Sequence, residues 1–137
     1  MDALQKSNLI GAFNALSDGC RYPAATEAEL AAFEADFAPI PSNFRWFLAA
    51  CGGGTIGSEW VDGINELRDS HHKFNAESSA DGGWTMRGVF VIGWDGSGNP
   101  FGIHNSTGKL VVEDHDFGGV HEMADSFTAF LVAKLLA

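Results

Sequence analysis

The sequence predicts an α+β fold: a single domain, residues 1–137, with an antiparallel and mostly meandering sheet flanked by helices. Three observations predict it. Apolar residues at helical spacing occupy the first third of the chain. Short strand-like runs, separated by tight turns, occupy residues 89–123. A last helical stripe closes the chain. Neighbouring strands joined by tight turns pair antiparallel, because a parallel pair needs a long crossover between its strands. Helices grouped before and after the strands, rather than alternating with them, set this order apart from a βαβ fold. A chain of this length makes one domain with its own core.

The elements follow in order. Leu9, Phe13 and Leu16 place an amphipathic helix near residues 3–17, ended by Ser17-Asp18-Gly19. Thr26-Glu27-Ala28-Glu29 is a capping box, in which the Thr side chain and the Glu side chain each take a backbone N–H of the first turn. Leu30, Phe33 and Phe37 are the stripe of the helix it starts, and Pro39 and Pro41 stop it. From about Ser42, Phe44, Phe47, Leu48 and Cys51 fall at i, i+3, i+4 and i+7, and Gly52-Gly53-Gly54 ends that helix. Thr55–Val61 reads as one short strand, and Ile64, Leu67, His71 and Phe74 as a helical face. Ser78–Gly83 reads as a polar loop. Val89-Phe90-Val91-Ile92 is a continuous apolar run between glycines, the pattern of a central strand covered on both faces. Turns at residues 95–100 and 105–108 bracket a strand with Phe101 and Ile103. Leu110-Val111-Val112 opens another strand, running out into Glu113-Asp114-His115-Asp116, and Val120–Met123 a last one. Asp125 or Ser126 caps a final helix bearing Phe127, Phe130, Leu131 and Leu135.

Composition excludes several functions. Eight Lys and Arg against eighteen Asp and Glu leave a net charge of −10 with His neutral. An acidic chain without a basic cluster repels phosphates, so direct nucleic-acid binding is not expected. The same charge suits a basic protein partner. No apolar run approaches the roughly 20 residues of a membrane span, and no membrane role is expected. The start of the chain lacks the pattern of an export signal, and Cys20 and Cys51 do not make a disulfide scaffold. A cytoplasmic protein with reduced thiols is expected.

Several ordered segments resemble a family. Ile40-Pro41-Ser42-Asn43-Phe44-Arg45-Trp46-Phe47-Leu48, followed by the three glycines, is similar to the early signature of the SUKH superfamily (the Smi/Knr group). Thr26–Phe37 supplies the helix that precedes it there. Phe90-Val91-Ile92-Gly93-Trp94-Asp95-Gly96-Ser97-Gly98 resembles the family's strand and Gly-Asp-Gly-like turn. Phe101-Gly102-Ile103, Gly108–Val112 and Ala124–Leu131 complete the order, so the likeness spans residues 22–133 and leaves 1–21 as an N-terminal helix and loop. The resemblance implies helices flanking a sheet, and motifs that are structural rather than catalytic. It also implies a role in binding: bacterial members are mostly immunity proteins that neutralise a toxin, and a fungal relative regulates cell-wall synthesis through protein contacts. Residues 58–85 match no part of the pattern.

No motif of catalysis survives its context. Gly52-Gly53-Gly54-Thr55-Ile56-Gly57 fits G-x-G-x-x-G, but it follows a helix and enters a strand, the reverse of a dinucleotide loop. Asp95-x-Ser97-x-Asn99 has Pro100 and Ser106 where an ion-binding loop needs a glycine and a bidentate acid; Asp114-x-Asp116-x-Gly118-Gly119, ending at Asp125, has no side-chain oxygen at Gly118 and follows a strand, and turn chemistry explains both. The five histidines show no helical pair; His104 and His115 on adjacent strands could approach each other, without a third ligand in sight. Cys51, on an apolar helical face, lacks the electropositive setting of a reactive thiol. The reading is therefore a non-enzymatic, cofactor-free and metal-free protein that binds a cognate protein toxin with a basic surface. The alternatives are an intracellular scaffold for an endogenous partner, or a small enzyme or metal protein with an unrecognised site. The candidate contact residues are Trp60 and Trp84, as aromatic anchors among acids, and an acidic face of Glu113, Asp114 and Asp116 extended by Asp62, Glu66 and Asp81. Trp94, which ends the central strand, is assigned to the core.

Overall fold

The computed structural model describes residues 1–137. Five helices and six strands follow one another as α1 (Ala3–Asn14), α2 (Glu27–Asp36), α3 (Ser42–Ala50), β1 (Gly54–Ile56), β2 (Glu59–Val61), α4 (Ile64–Ser78), β3 (Val89–Trp94), β4 (Pro100–His104), β5 (Leu110–Glu113), β6 (Val120–Ala124) and α5 (Phe127–Leu135). The strands form one antiparallel sheet in chain order, β1 to β6. This is the α+β meander that the sequence predicts.

Local chemistry sets the boundaries. Thr26 Oγ1 accepts from Glu29 N at 3.2 Å while Glu29 Oε1 accepts from Thr26 N at 2.9 Å, so the capping box is complete. Ser126, not Asp125, caps α5 by accepting from Ala129 N. The first helix stops at Asn14, short of the expected residue 17, and a single 3₁₀ turn follows at Asp18–Cys20. Thr55–Val61 is two strands rather than one: Gly57, at φ +64°, turns the chain between them. The loop expected from Ser78 starts later, because α4 runs on through Ser78. The glycine triplet has a packing cause. A Cβ on Gly52, Gly53 or Gly54 would lie within 2.6 Å of backbone atoms of Tyr22, Asp62 or Cys20. The chain can cross itself there only without side chains.

The core lies mainly on one side of the sheet. Leu9 and Phe13 of α1, Leu30 and Phe33 of α2, Phe44, Phe47 and Leu48 of α3, and Phe127, Phe130 and Leu131 of α5 pack there against Phe90, Ile92 and Phe101. Edge-on ring pairs tie the helices together, such as Phe44–Phe127 at 5.4 Å and Phe13–Phe47 at 5.3 Å between centroids. Cys51 is buried beside them, and burial pushes its thiol up to about 11. The opposite side carries a smaller cluster of Phe74, Met86, Val91 and Val111. Helices therefore flank the sheet unequally.

Helix α4 connects the two sides. Ile64 and Leu67 join the main core, whereas Phe74 joins the smaller cluster. The helix can cross because β2 pairs only with Gly93 and Trp94, leaving the first half of β3 without a strand neighbour on that side. The imidazole of His71 occupies that edge, with Nε2 2.8 Å from the carbonyl oxygen of Val91.

Val91 and Ile92, adjacent in β3, are both buried and belong to different clusters. Replacing either by Ala is expected to cost about 1–3 kcal/mol of stability, from lost transfer free energy and the cavity left behind. Chemical denaturation of each variant measures it. A loss of only a few tenths at Val91 would mean that the smaller cluster does not seal its side of the sheet.

Candidate functional site

The less covered side of the sheet and the loop at its border collect Trp60, Trp84, Asp114 and Asp116 of the sequence-predicted contact residues. Trp60 and Trp94 are register partners on β2 and β3 and so project to the same side. Trp60 is 52% exposed. Trp94 is not the core residue expected: it is half-buried, with Lys73 Nζ 4.2 Å from its ring centre. Trp84 packs 6.4 Å from Trp94 and 6.3 Å from His115, and its indole N–H donates to Glu77. An aromatic line thus runs from Trp60 through Trp94 and Trp84 to His115, at the mouth of the loop between β5 and β6. Asn99, buried at the His115 end of that line, accepts from the backbone N–H of His115 and also meets its ring.

The β5–β6 loop is the acidic end of this surface. Asp114 Oδ1 accepts from the N–H of Asp116 at 2.7 Å and of Phe117 at 3.0 Å. Those two bonds, that of Phe117 foremost, hold its carboxyl below the usual carboxylate range. Asp114 is therefore the tie that shapes the loop, and Asp116 is the exposed charge. Phe117 follows at 92% exposure, ahead of two glycines with positive φ. Sequence reading passed over Phe117. The available signal was a large apolar side chain in a turn with no apolar neighbour to pack on.

Two of the predicted contact residues do not belong to any surface. Glu113 is only 6% exposed. Its carboxylate accepts from the backbone N–H of Thr85 and of Met86 and from the Thr85 hydroxyl, at 2.7–3.0 Å. It anchors the segment after α4 across the sheet. Asp62 is 5% exposed, and its Oδ2 has no hydrogen-bond partner. Burial, opposed by the nearby Ser70 hydroxyl and reinforced by Glu66 and Asp69, raises its carboxyl to about 7. The Ser70 hydroxyl accepts from the indole N–H of Trp94 at 2.9 Å. Glu66 is half-buried near Asp62, and Asp81 is exposed in the turn after α4, without a contact to the aromatic line.

The two grooves of the molecule lie away from this surface. One groove of about 230 Å³ lies between α2 and α4 around Phe33 and Ile64. A second of about 440 Å³ lies along the open edge of β3 between Phe37, His71 and Phe90. Neither holds any of the predicted contact residues. No three His, Cys, Asp or Glu side chains group in a way that could hold a metal ion. His104 and His115 do not approach each other: His104 accepts at the β4–β5 turn from Ser106, whereas His115 docks on Asn99 at the other end of β4. No helix is long and apolar enough to cross a membrane.

Two buried carboxylates yield tests. Asp62 holds its proton more tightly folded than unfolded, so its contribution to stability is full below its ordinary value of 3.8 and is lost as pH rises through about 7. Asp62→Asn is expected to match the wild type near pH 4 and to exceed it by on the order of 3 kcal/mol near pH 8. Urea unfolding at both pH values reads this, and a gap that ignores pH would show that Asp62 is already ionised in the fold. Glu113→Ala leaves the buried Met86 amide, and the Thr85 amide beside it, without an acceptor. A loss of about 1–3 kcal/mol is expected, with faster hydrogen exchange at those two amides; unchanged exchange would assign the segment's placement to Trp84 and Met86 packing instead.

Comparison with known proteins agrees with this architecture. A search of curated proteins finds no match. The family model described as SMI1 / KNR4 family (SUKH-1) matches residues 24–133, most of the chain and close to the span of the sequence resemblance. With an antiparallel meander, its capped helices and its glycine crossing all inside that span, the chain belongs to the SMI1 / KNR4 family (SUKH-1).

Proposed function

We propose that the protein is an immunity protein that binds a cognate bacterial toxin directly and blocks it by occlusion, without catalysis. The observation that carries this reading is Phe117, an almost fully exposed aromatic side chain on a loop tied by Asp114 and charged by Asp116. An exposed aromatic side chain ringed by polar groups is the kind of anchor found at the centres of tight protein interfaces. The aromatic line behind the loop extends the same surface to Trp60. Membership of a family whose bacterial members are mostly immunity proteins supports a toxin as the partner. The net charge of −10 supports a basic toxin surface.

Binding of this kind separates attraction from grip. Charge acts over the screening length of about 8 Å and sets the association rate, whereas the packed centre sets dissociation. Asp114 is a poor probe of charge, because its loss would unmake the loop; Asp116 is the clean one. With toxin co-purified from the native cell, association is expected to slow as salt rises and to slow again in Asp116→Lys. Phe117→Ala is expected to raise the dissociation rate by about tenfold or more, the behaviour of a hot spot, with the association rate little changed. Surface-immobilised binding kinetics at low and high salt measure all three. An association rate indifferent to salt and to Asp116→Lys would reduce the negative charge to a solubility device. Co-purification of an endogenous, non-toxin partner would replace the immunity role with a scaffold role.

A further inference from the structure

A sheet of six strands in chain order ends in two edge strands, and β3 exposes part of a third edge where β2 stops short. An uncovered edge is a row of unpaired N–H and C=O groups that can template another strand. Two of these three edges are covered. Gly54 of β1 is bridged by Arg21, and Gly53 beside it accepts from the N–H of Tyr22. The open part of β3 is met by His71 on the Val91 carbonyl. The outer edge of β6 meets nothing.

The register shows which groups are bare. The N–H of Asp114 donates to the carbonyl of Gly119, which makes 114/119 a hydrogen-bonded pair. Bonded and non-bonded pairs alternate along an antiparallel ladder. Val112 and His121 are therefore the next bonded pair, and Val120 and Glu122 turn both of their backbone groups away from β5. No hydrogen bond from a turn, loop or cap reaches the backbone of either residue. Beyond Glu122 the register shifts, one residue being inserted on β6 opposite Val111, so the regular edge is short.

We infer that β6 is an acceptor edge, to which an extended segment of a basic protein adds as a further strand of the sheet. The choice of a basic protein rests on the binding role proposed above; the bare edge does not. Charge decides between the possible occupants. Asp114 and Asp116 lead into the strand, Glu122 lies on it and Asp125 follows it, with Lys109 alone opposing them through its pair with Glu122 at 3.0 Å. A second copy would bring the same acids against their own kind, on a chain already at −10. A basic strand would gain from every one of them. Its apolar side chains would find Val120, 46% exposed, and Phe117 at the end of the edge.

Amide hydrogen exchange on the full-length protein tests this with defined probes. The first is a peptide of alternating Lys and Val, about ten residues long, the extended pattern that strand addition reads. The second has the same sequence with alternate backbone nitrogens methylated, which keeps charge and shape but removes donors. The third alternates Glu and Val. Exchange at the Val120 and Glu122 amides is expected to slow about tenfold with the first peptide at low salt, as new hydrogen bonds form there, and to stay unchanged with the other two. Val120→Pro removes an outward N–H that no ladder bond uses, and is expected to weaken the first peptide by about tenfold. Because the methylated peptide leaves the protein untouched, the result does not depend on that variant folding. Equal effects of the methylated and unmethylated peptides would overturn strand addition, and so would the absence of protection with any peptide. Protection of both amides that grows with protein concentration alone would give the edge to a second copy. None of these outcomes touches the toxin reading, which is decided by what the native cell yields; a toxin captured with both amides still unprotected would leave that reading standing and this one refuted.

Discussion

The hydrogen bond from His71 to the carbonyl of Val91 marks the constraint on which the architecture depends. A three-residue β2 cannot cover a six-residue β3, so half of the central strand would face solvent with unpaired backbone groups. Helix α4 resolves this by lying along the gap. Its position then dictates much else: the main core receives Ile64 and Leu67, the far side receives Phe74, and the chain emerging from α4 runs over the far side to Met86. Glu113 secures that return by holding Thr85 and Met86. The far side is consequently covered by one helix end and one segment instead of a helical layer, and its outer parts stay open for Trp60, Trp94 and the β5–β6 loop.

The same helix places two titrating groups of opposite preference a short distance apart in the chain. Burial lowers the imidazole of His71, outweighing the help of its bond to Val91, so the neutral ring is the stable form. Its contribution is present above the ordinary histidine value of 6.5 and lost as pH falls through the lowered one. Asp62 does the reverse, with stability lost as pH rises toward 7. His71 is enclosed by the rings of Phe33, Phe37 and Phe90, at 4.7–5.7 Å between centroids, which favour a neutral ring that still donates one N–H. The two groups act against each other, so neither acid nor base gives this region its best electrostatics, and the pH range between them is where both are nearest to their preferred forms.

What was legible in the sequence was what short-range chemistry controls. Thr26 and Glu29 announce α2, the prolines end it, and the apolar run of β3 states that both of its faces are covered. What was not legible depended on partners distant in the chain. Glu113 sits in a run of acids that reads as a solvated strand end, and only the arrival of Thr85 and Met86 turns it into a buried anchor. Asp62, two residues from Trp60, falls on the same side as it by strand alternation and reads as surface, yet α4 brings Glu66, Asp69 and Ser70 close to it and it is buried. The β1–β2 hairpin was missed because strands of three residues offer too little alternation to show two runs. Of the candidate contact residues, Trp60, Trp84, Asp114 and Asp116 share one side or its border loop, and Phe117 entered only from the structure.

The bond from the indole N–H of Trp94 to the buried Ser70 gives the open side a property that exposure alone would not. A surface aromatic residue usually loses rotamer freedom on binding, and that loss subtracts from affinity. Trp94 has already lost it: its N–H is fixed from inside, its ring is flanked by Trp84 and capped by Lys73. Trp84 is fixed by Glu77 at its own N–H. The exposed rings at the two ends, Trp60 and Phe117, have no such bond. The surface therefore combines a stiff centre, where little entropy remains to be lost, with adjustable ends.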